Sequence, residues 1–75
     1  MEGELNMRLA DVKSREGRIT VFEVTNRYGV KEYIVDVGFR GKECKAYTYK
    51  SLESAMRKYK KATKEMVEMY LAKCN

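Results

Sequence analysis

The sequence predicts an α+β fold: a three- or four-stranded antiparallel sheet packed by one long C-terminal helix, in the order β-β-β-β-α. Three observations carry that reading. Residues 31–40 alternate with the period of a strand, the final third steps by four and three with the period of a helix, and glycine-containing turns punctuate the segments between. At 75 residues the chain is one domain, 1–75. Its core is thin, because folding at this size hides only about 60% of the surface of the unfolded chain.

Residues 4–13 read two ways. Leu5, Met7 and Leu9 alternate as in a strand, whereas Leu5, Leu9 and Val12 fit a helical stripe, and only Val12 is β-branched. The turn Ser14-Arg15-Glu16-Gly17 directly after favours a hairpin, so a strand is expected, with α-β-β-β-α as the alternative order. Residues 18–25 hold Ile19, Val21, Phe22 and Val24 together with Thr20 and Thr25, a strand composition. Asn26-Arg27-Tyr28-Gly29 is the second turn. In residues 31–40, Tyr33, Val35, Val37 and Phe39 point one way, and Glu32, Ile34, Asp36, Gly38 and Arg40 the other. Gly41-Lys42 reads as a two-residue hairpin turn of type II′, with glycine first. Residues 43–49 alternate again, with Cys44, Ala46 and Thr48 on one face and Glu43, Lys45, Tyr47 and Tyr49 on the other.

A helix is expected over residues 51–73. Leu52, Met56, Tyr59, Thr63, Met66 and Tyr70 form one stripe, widened by Ala55, Ala62, Val67 and Cys74. Ser51 suits the N-cap, and Glu53 in the first turn complements the helix dipole. Tyr33, Val35, Val37 and Phe39 should meet Leu52, Met56, Tyr59 and Met66 in the core, each large side chain contributing about 1.5–3 kcal/mol. Such a helix spans about 33 Å, against about 23 Å from Tyr33 to Phe39. Its end should therefore overhang the sheet. There Met66, Met69, Tyr70 and Leu71 form an expected partner surface, most simply a homodimer interface, unless the N-terminal segment folds back over it.

The net charge is +5, and its distribution is uneven. Arg57, Lys58, Lys60, Lys61 and Lys64 crowd residues 57–64 without an acid, while the other bases and the acids are equal in number. With Leu52 at zero, Lys60, Lys64, Arg57 and Lys61 fall at about 80°, 120°, 140° and 180° around the helix, a contiguous flank; Lys58 lies on the other side. A ridge of this kind suits phosphate backbones, an anionic membrane surface or an acidic protein partner. The sheet face away from the helix is the second expected surface. Lys45, Tyr47, Tyr49, Ile34 and Arg40 are assigned to it, tyrosines to stack on bases or ribose and cations to hold phosphates. The side each tyrosine takes follows from strand register.

Several functions are excluded by what the chain lacks. Histidine is absent, which removes the usual general base and the commonest metal ligand. Serines and threonines have no partner base, Asp11, Asp36 and Glu43 are single carboxylates, and neither Gly-x-Gly-x-x-Gly nor a Walker loop occurs. The expectation is a non-enzyme with no catalytic residue, cofactor or metal. Cys44 and Cys74 are expected to be structural thiols in a reducing compartment. Met1 to Leu9 carries Glu2 and Glu4 without an apolar core, unlike a signal or transit peptide, and no apolar run is long enough for a membrane span. A cytoplasmic location follows as the expectation.

The run Tyr33-x-Val35-x-Val37-x-Phe39, then Gly41-Lys42, a strand, and Ser51-x-x-x-Ala55 opening a helix resembles two nucleic-acid families. Double-stranded-RNA-binding domains share the three strands, a Gly-Lys turn and a helix beginning near a Ser and an Ala. That likeness implies a first helix over Leu5 to Val12. Asn26 to Gly29 stands where that family has a loop histidine, and Leu52, Glu53 and Ser54 where it has lysines. The sequence is also similar to the arm-type DNA-binding domains of phage integrases, which pair a three-stranded sheet with one helix. Their aromatic residue before a Thr/Ser-x-x-x-Ala helix start is matched by Tyr47 or Tyr49 before Ser51.

Two functions are therefore expected. In the first, a small nucleic-acid-binding module holds phosphates with Arg57, Lys60, Lys61 and Lys64, while Arg40, Lys45 and Tyr47 touch bases, sugars or groove edges. In the second, a protein-interaction module, such as a small adaptor or inhibitor, including one encoded by a virus or mobile element, acts through the methionine-rich helix end.

Overall fold

A computed structural model describes residues 5–74. Four strands, β1 (Leu5–Ser14), β2 (Gly17–Thr25), β3 (Lys31–Phe39) and β4 (Lys45–Tyr49), precede one helix, α1 (Leu52–Cys74). The strands form one antiparallel meander in the order β1-β2-β3-β4. The β-β-β-β-α order is thus the one adopted, and Leu5 to Val12 is strand rather than helix.

Strand alternation and register place the core. Ile19 pairs with Val37 and Val21 with Val35, so all four side chains share one face. They are buried there with Ala55, Ala62 and Met66 of α1. Ala10, Val12, Tyr33, Phe39, Tyr47, Tyr49, Met56 and Tyr59 pack around this cluster. On β1 the alternation changes phase. Val12 and Ala10 oppose Ile19 and Val21, but the register shifts between Arg8 and Ala10, leaving Leu9 as an extra residue. Beyond this bulge Met7 pairs with Glu23 on the core side and Arg8 with Phe22 on the other.

The turns are chemically specific. Arg15 and Glu16 join β1 to β2, and the Glu16 amide donates to Ser14 Oγ (3.0 Å). A Cβ at Gly17 would stand 2.1 Å from the Gly38 carbonyl oxygen, so only glycine fits there. Between β2 and β3, Asn26 Oδ1 accepts from the amides of Tyr28 (2.8 Å) and Val30 (3.1 Å), and Gly29 takes the left-handed conformation at φ 80°. The third turn departs from expectation. Five residues, 40–44, separate β3 from β4, and Gly41 (φ 80°) is the third residue of a Phe39–Lys42 turn closed by the Lys42 amide on the Phe39 carbonyl (3.0 Å). That position is where a type II turn requires glycine. Arg40 takes no part in the β3–β4 ladder, because its amide donates to the Glu16 carbonyl (2.8 Å) across the sheet.

Ser51 caps α1, accepting the Ser54 amide on Oγ (3.2 Å). The buried side of the helix differs from the expected stripe. Leu52 and Tyr70 are 44% and 53% exposed, whereas the buried line runs through Ala55, Ala62 and Met66. On the same angular scale that line lies near 300°, about 60° round from the expected stripe. Small side chains at Ala55 and Ala62 let the helix sit close against the branched residues of β2 and β3, and close packing selects that side. Met66, 3% exposed, belongs to this core and so drops out of the expected partner surface. The far end of α1 meets the β1–β2 turn, where Lys73 Nζ lies 2.8 Å from Glu16 Oε1. No helix among the described residues is long and apolar enough to cross a membrane.

Candidate functional site

Two surfaces and one sheet edge offer sites. The first surface is the outer side of α1. Arg57, Lys60, Lys61 and Lys64 are all exposed. Their directions centre near 130°, opposite the buried line near 300°. The four cations therefore stand together on the solvent side, along about 10 Å of helix axis from Arg57 to Lys64. Arg57 Nη2 lies 3.6 Å from Glu53 Oε2, both side chains being largely exposed. Such a surface pair is worth little and leaves the cation available. Lys60, Lys61 and Lys64 form no ion pair among the described residues. Of the expected partner surface at the helix end, Tyr70 and Leu71 are each 53% exposed, while Met69 is half-buried near Phe39 and Lys42.

The second surface is the sheet face away from α1, and its composition corrects the sequence reading. Lys45, Tyr47 and Tyr49 pair with Val37, Val35 and Tyr33, so they lie on the helix side. Lys58 Nζ sits 4.2 Å from the centroid of the Tyr47 ring, a cation–π contact that occupies one face of that tyrosine. Arg40 lies exposed in the turn after β3. Only Ile34 of the expected set is on the open face. Arg8, Phe22, Ile34 and Thr48 form one row across it, and Asp11, Thr20, Asp36 and Ala46 the next.

A polar network organises the β1 side of this face. Arg18 Nε and Nη2 donate to the two oxygens of Asp11 (2.9 and 2.8 Å), and Thr20 Oγ1 donates to Oδ1 (2.9 Å). Arg8 Nη1 adds a charge contact at 3.5 Å. The hydrogen bonds from Arg18, then that from Thr20, hold the Asp11 carboxyl down at about 2. The same bonds push the Arg18 guanidinium above its ordinary value. Sequence reasoning missed this cluster. Arg18, Thr20, Phe22 and Val24 are about as apolar as the intervening set, so composition did not mark their side.

The edge of interest is β4, with a hollow on each side. On the open face a hollow of about 470 Å³ is lined by Phe22, Asp36, Gly38, Cys44 and Ala46, among others. Cys44 is a free, exposed thiol with Sγ over Gly38. The expectation for Cys74 falls on a side chain outside those described. On the helix side a hollow of about 500 Å³ runs between β4 and α1, with Val37, Phe39 and Tyr47 beside Lys42, Lys45 and Lys58. Lys42 and Lys58 were not singled out for this groove, because a helix residue and a turn residue meet there only through tertiary packing.

No protein-family model, no curated protein and no solved structure matches the chain.

Proposed function

We propose that this protein is a small nucleic-acid-binding module whose main contact is the outer ridge of α1. The observation that carries the reading is the grouping of Arg57, Lys60, Lys61 and Lys64 on one solvent side, with the three lysines unpaired among the described residues. Helix packing does not require four cations together. A phosphate backbone rewards them, because each neutralised phosphate releases condensed counterions. The reading rests on the ridge alone. The tyrosines that would have stacked on bases turn toward the helix, so the open face adds only Phe22 and Ile34 flanked by Arg8 and Arg18. Recognition through phosphates positions the protein without reading sequence.

The test is a binding panel of duplex and single-stranded DNA and RNA across a salt series. On duplex, log K should fall against log salt with a slope of about 0.9 for each phosphate contacted. The variant K60E/K61E/K64E should lose most of the affinity while keeping its circular dichroism spectrum. Unchanged affinity in that variant would reject the reading.

Exposed Tyr70 and Leu71 favour a second reading, contact with another chain through the helix end, most simply a homodimer. Sedimentation of a clean monomer at high micromolar concentration would remove the dimer.

A further inference from the structure

We infer that the free edge of β4 accepts an extended acidic peptide as a fifth strand, with its acidic side chains seated between β4 and α1. The inference is independent of the helix ridge.

Backbone comes first. Strand order leaves β4 paired on one side only, so half of its amides and carbonyls point outward. The opposite edge, β1, is broken by the bulge at Leu9, a feature that discourages strand addition. By contrast β4 keeps regular pairing through all five residues, from Val37↔Lys45 to Tyr33↔Tyr49. It contains no proline.

Side chains come second. Successive residues of an added strand point to opposite faces. A strand laid along β4 would therefore send one set of side chains toward the helix-side hollow and the other toward the open-face hollow. Each hollow has a volume in the range of ordinary ligand sites. Their linings differ. On the helix side, Lys42, Lys45 and Lys58 face Glu43 and Glu65. The excess of positive charge selects an acidic side chain, and the contact with Tyr47 holds the Lys58 ammonium in place for it. The open-face hollow also has Arg8 and Arg18 in its lining, but both are engaged by Asp11, and Asp36 adds a further negative charge. Gly38 and Ala46 leave room there, and Phe22 supplies an apolar wall. A medium-sized apolar side chain fits there. The matching guest alternates acidic and apolar residues.

A second copy is the wrong guest. Antiparallel pairing of β4 with itself about Tyr47 would set the two Tyr47 side by side and so bring together the Lys58 ammonium that each carries over its ring, and like charges brought together oppose association. Strand addition to a different, acidic chain has no such conflict.

The experiment titrates the full chain, isotope-labelled for NMR, with a short capped peptide alternating glutamate and valine. A lysine–valine counterpart serves as the control. Saturable shifts and slowed amide exchange over residues 45–49 are expected for the acidic peptide. K45E/K58E should bind it at least about tenfold more weakly, as should K58M, which keeps the aliphatic stem over Tyr47. The ridge variant K60E/K61E/K64E should bind the peptide as the parent chain does, which separates this inference from the nucleic-acid reading. Shifts confined to residues 57–64, equal binding of the lysine peptide, or no binding at millimolar peptide would overturn it. Displacement of the peptide from residues 45–49 by an oligonucleotide would assign the groove to nucleic acid instead.

Discussion

The Lys73 ammonium stands 2.8 Å from Oε1 of Glu16 and so ties the last turn of α1 to the tip of the first hairpin. Glu16 is 1% exposed although it sits in a two-residue turn, a place where a glutamate normally reaches into water. Its Oε1 receives no aligned hydrogen bond among the described residues, so the contact is one of charge. Lys73→Met should therefore leave a buried carboxylate without its partner and cost about 1–3 kcal/mol. Glu16→Gln should cost less, and adding it to Lys73→Met should recover part of the loss. Urea midpoints of the two single variants and the double variant measure this, and strict additivity would show that the pair is not coupled.

Acid sensitivity should trace to Asp11. Its pKa in the folded chain, about 2, lies below the ordinary value of about 3.9. A depressed carboxylate contributes stability that is full above the unfolded value and is lost as pH falls toward the folded one. The loss should therefore appear between about pH 5 and pH 2, and Asp11→Asn should flatten the stability profile in that window. Urea midpoints at stepped pH test it. An identical acid limb in both chains would assign the sensitivity elsewhere.

Glycine positions should separate cleanly. At Gly17 an added Cβ meets backbone, the Gly38 carbonyl oxygen, which cannot swing aside. Gly17→Ala should cost about 1–3 kcal/mol or more. At Gly29 a Cβ meets nothing within 4 Å, and the only penalty is the left-handed backbone, about 1–2 kcal/mol. Thermal melts of the two variants should rank Gly17→Ala as the less stable.

The orientation of α1 can be checked by substitution. Ala62→Leu should overpack the helix–sheet contact at a cost of about 1–3 kcal/mol, while Leu52→Ala should stay within about 1 kcal/mol. The reverse ranking would restore the stripe centred on Leu52, Met56 and Tyr70.

How much of this was legible in the sequence depends on the residue. The alternation of Tyr33, Val35, Val37 and Phe39 identified β3 and its core side because no bulge interrupts it. β1 was ambiguous for a physical reason: Leu9 is extra, so Met7 and Val12 share the core side although a regular strand would place them on opposite sides. The error at Lys45 and Tyr47 has one source. A two-residue turn at Gly41-Lys42 sets Arg40 opposite Glu43 and carries Thr48 opposite Val35. In the five-residue loop Val35 instead faces Tyr47, and a shift of one residue exchanges the two faces of a strand. The helix ridge was readable because charges four residues apart need no tertiary information to group. The Asp11–Arg18 cluster and the groove beneath Lys58 depend on register and docking, which no single segment encodes.

The extra residue at Leu9 also sets how this molecule should behave in a crowd. Removing it by deletion keeps Arg8 opposite Phe22 and Ala10 opposite Val21, so every face is preserved while the longest border becomes straight. Such a chain should fold and then stack sideways on its neighbours, with turbidity rising at concentrations the parent tolerates. Leu9 would then be a spacer whose task is solubility.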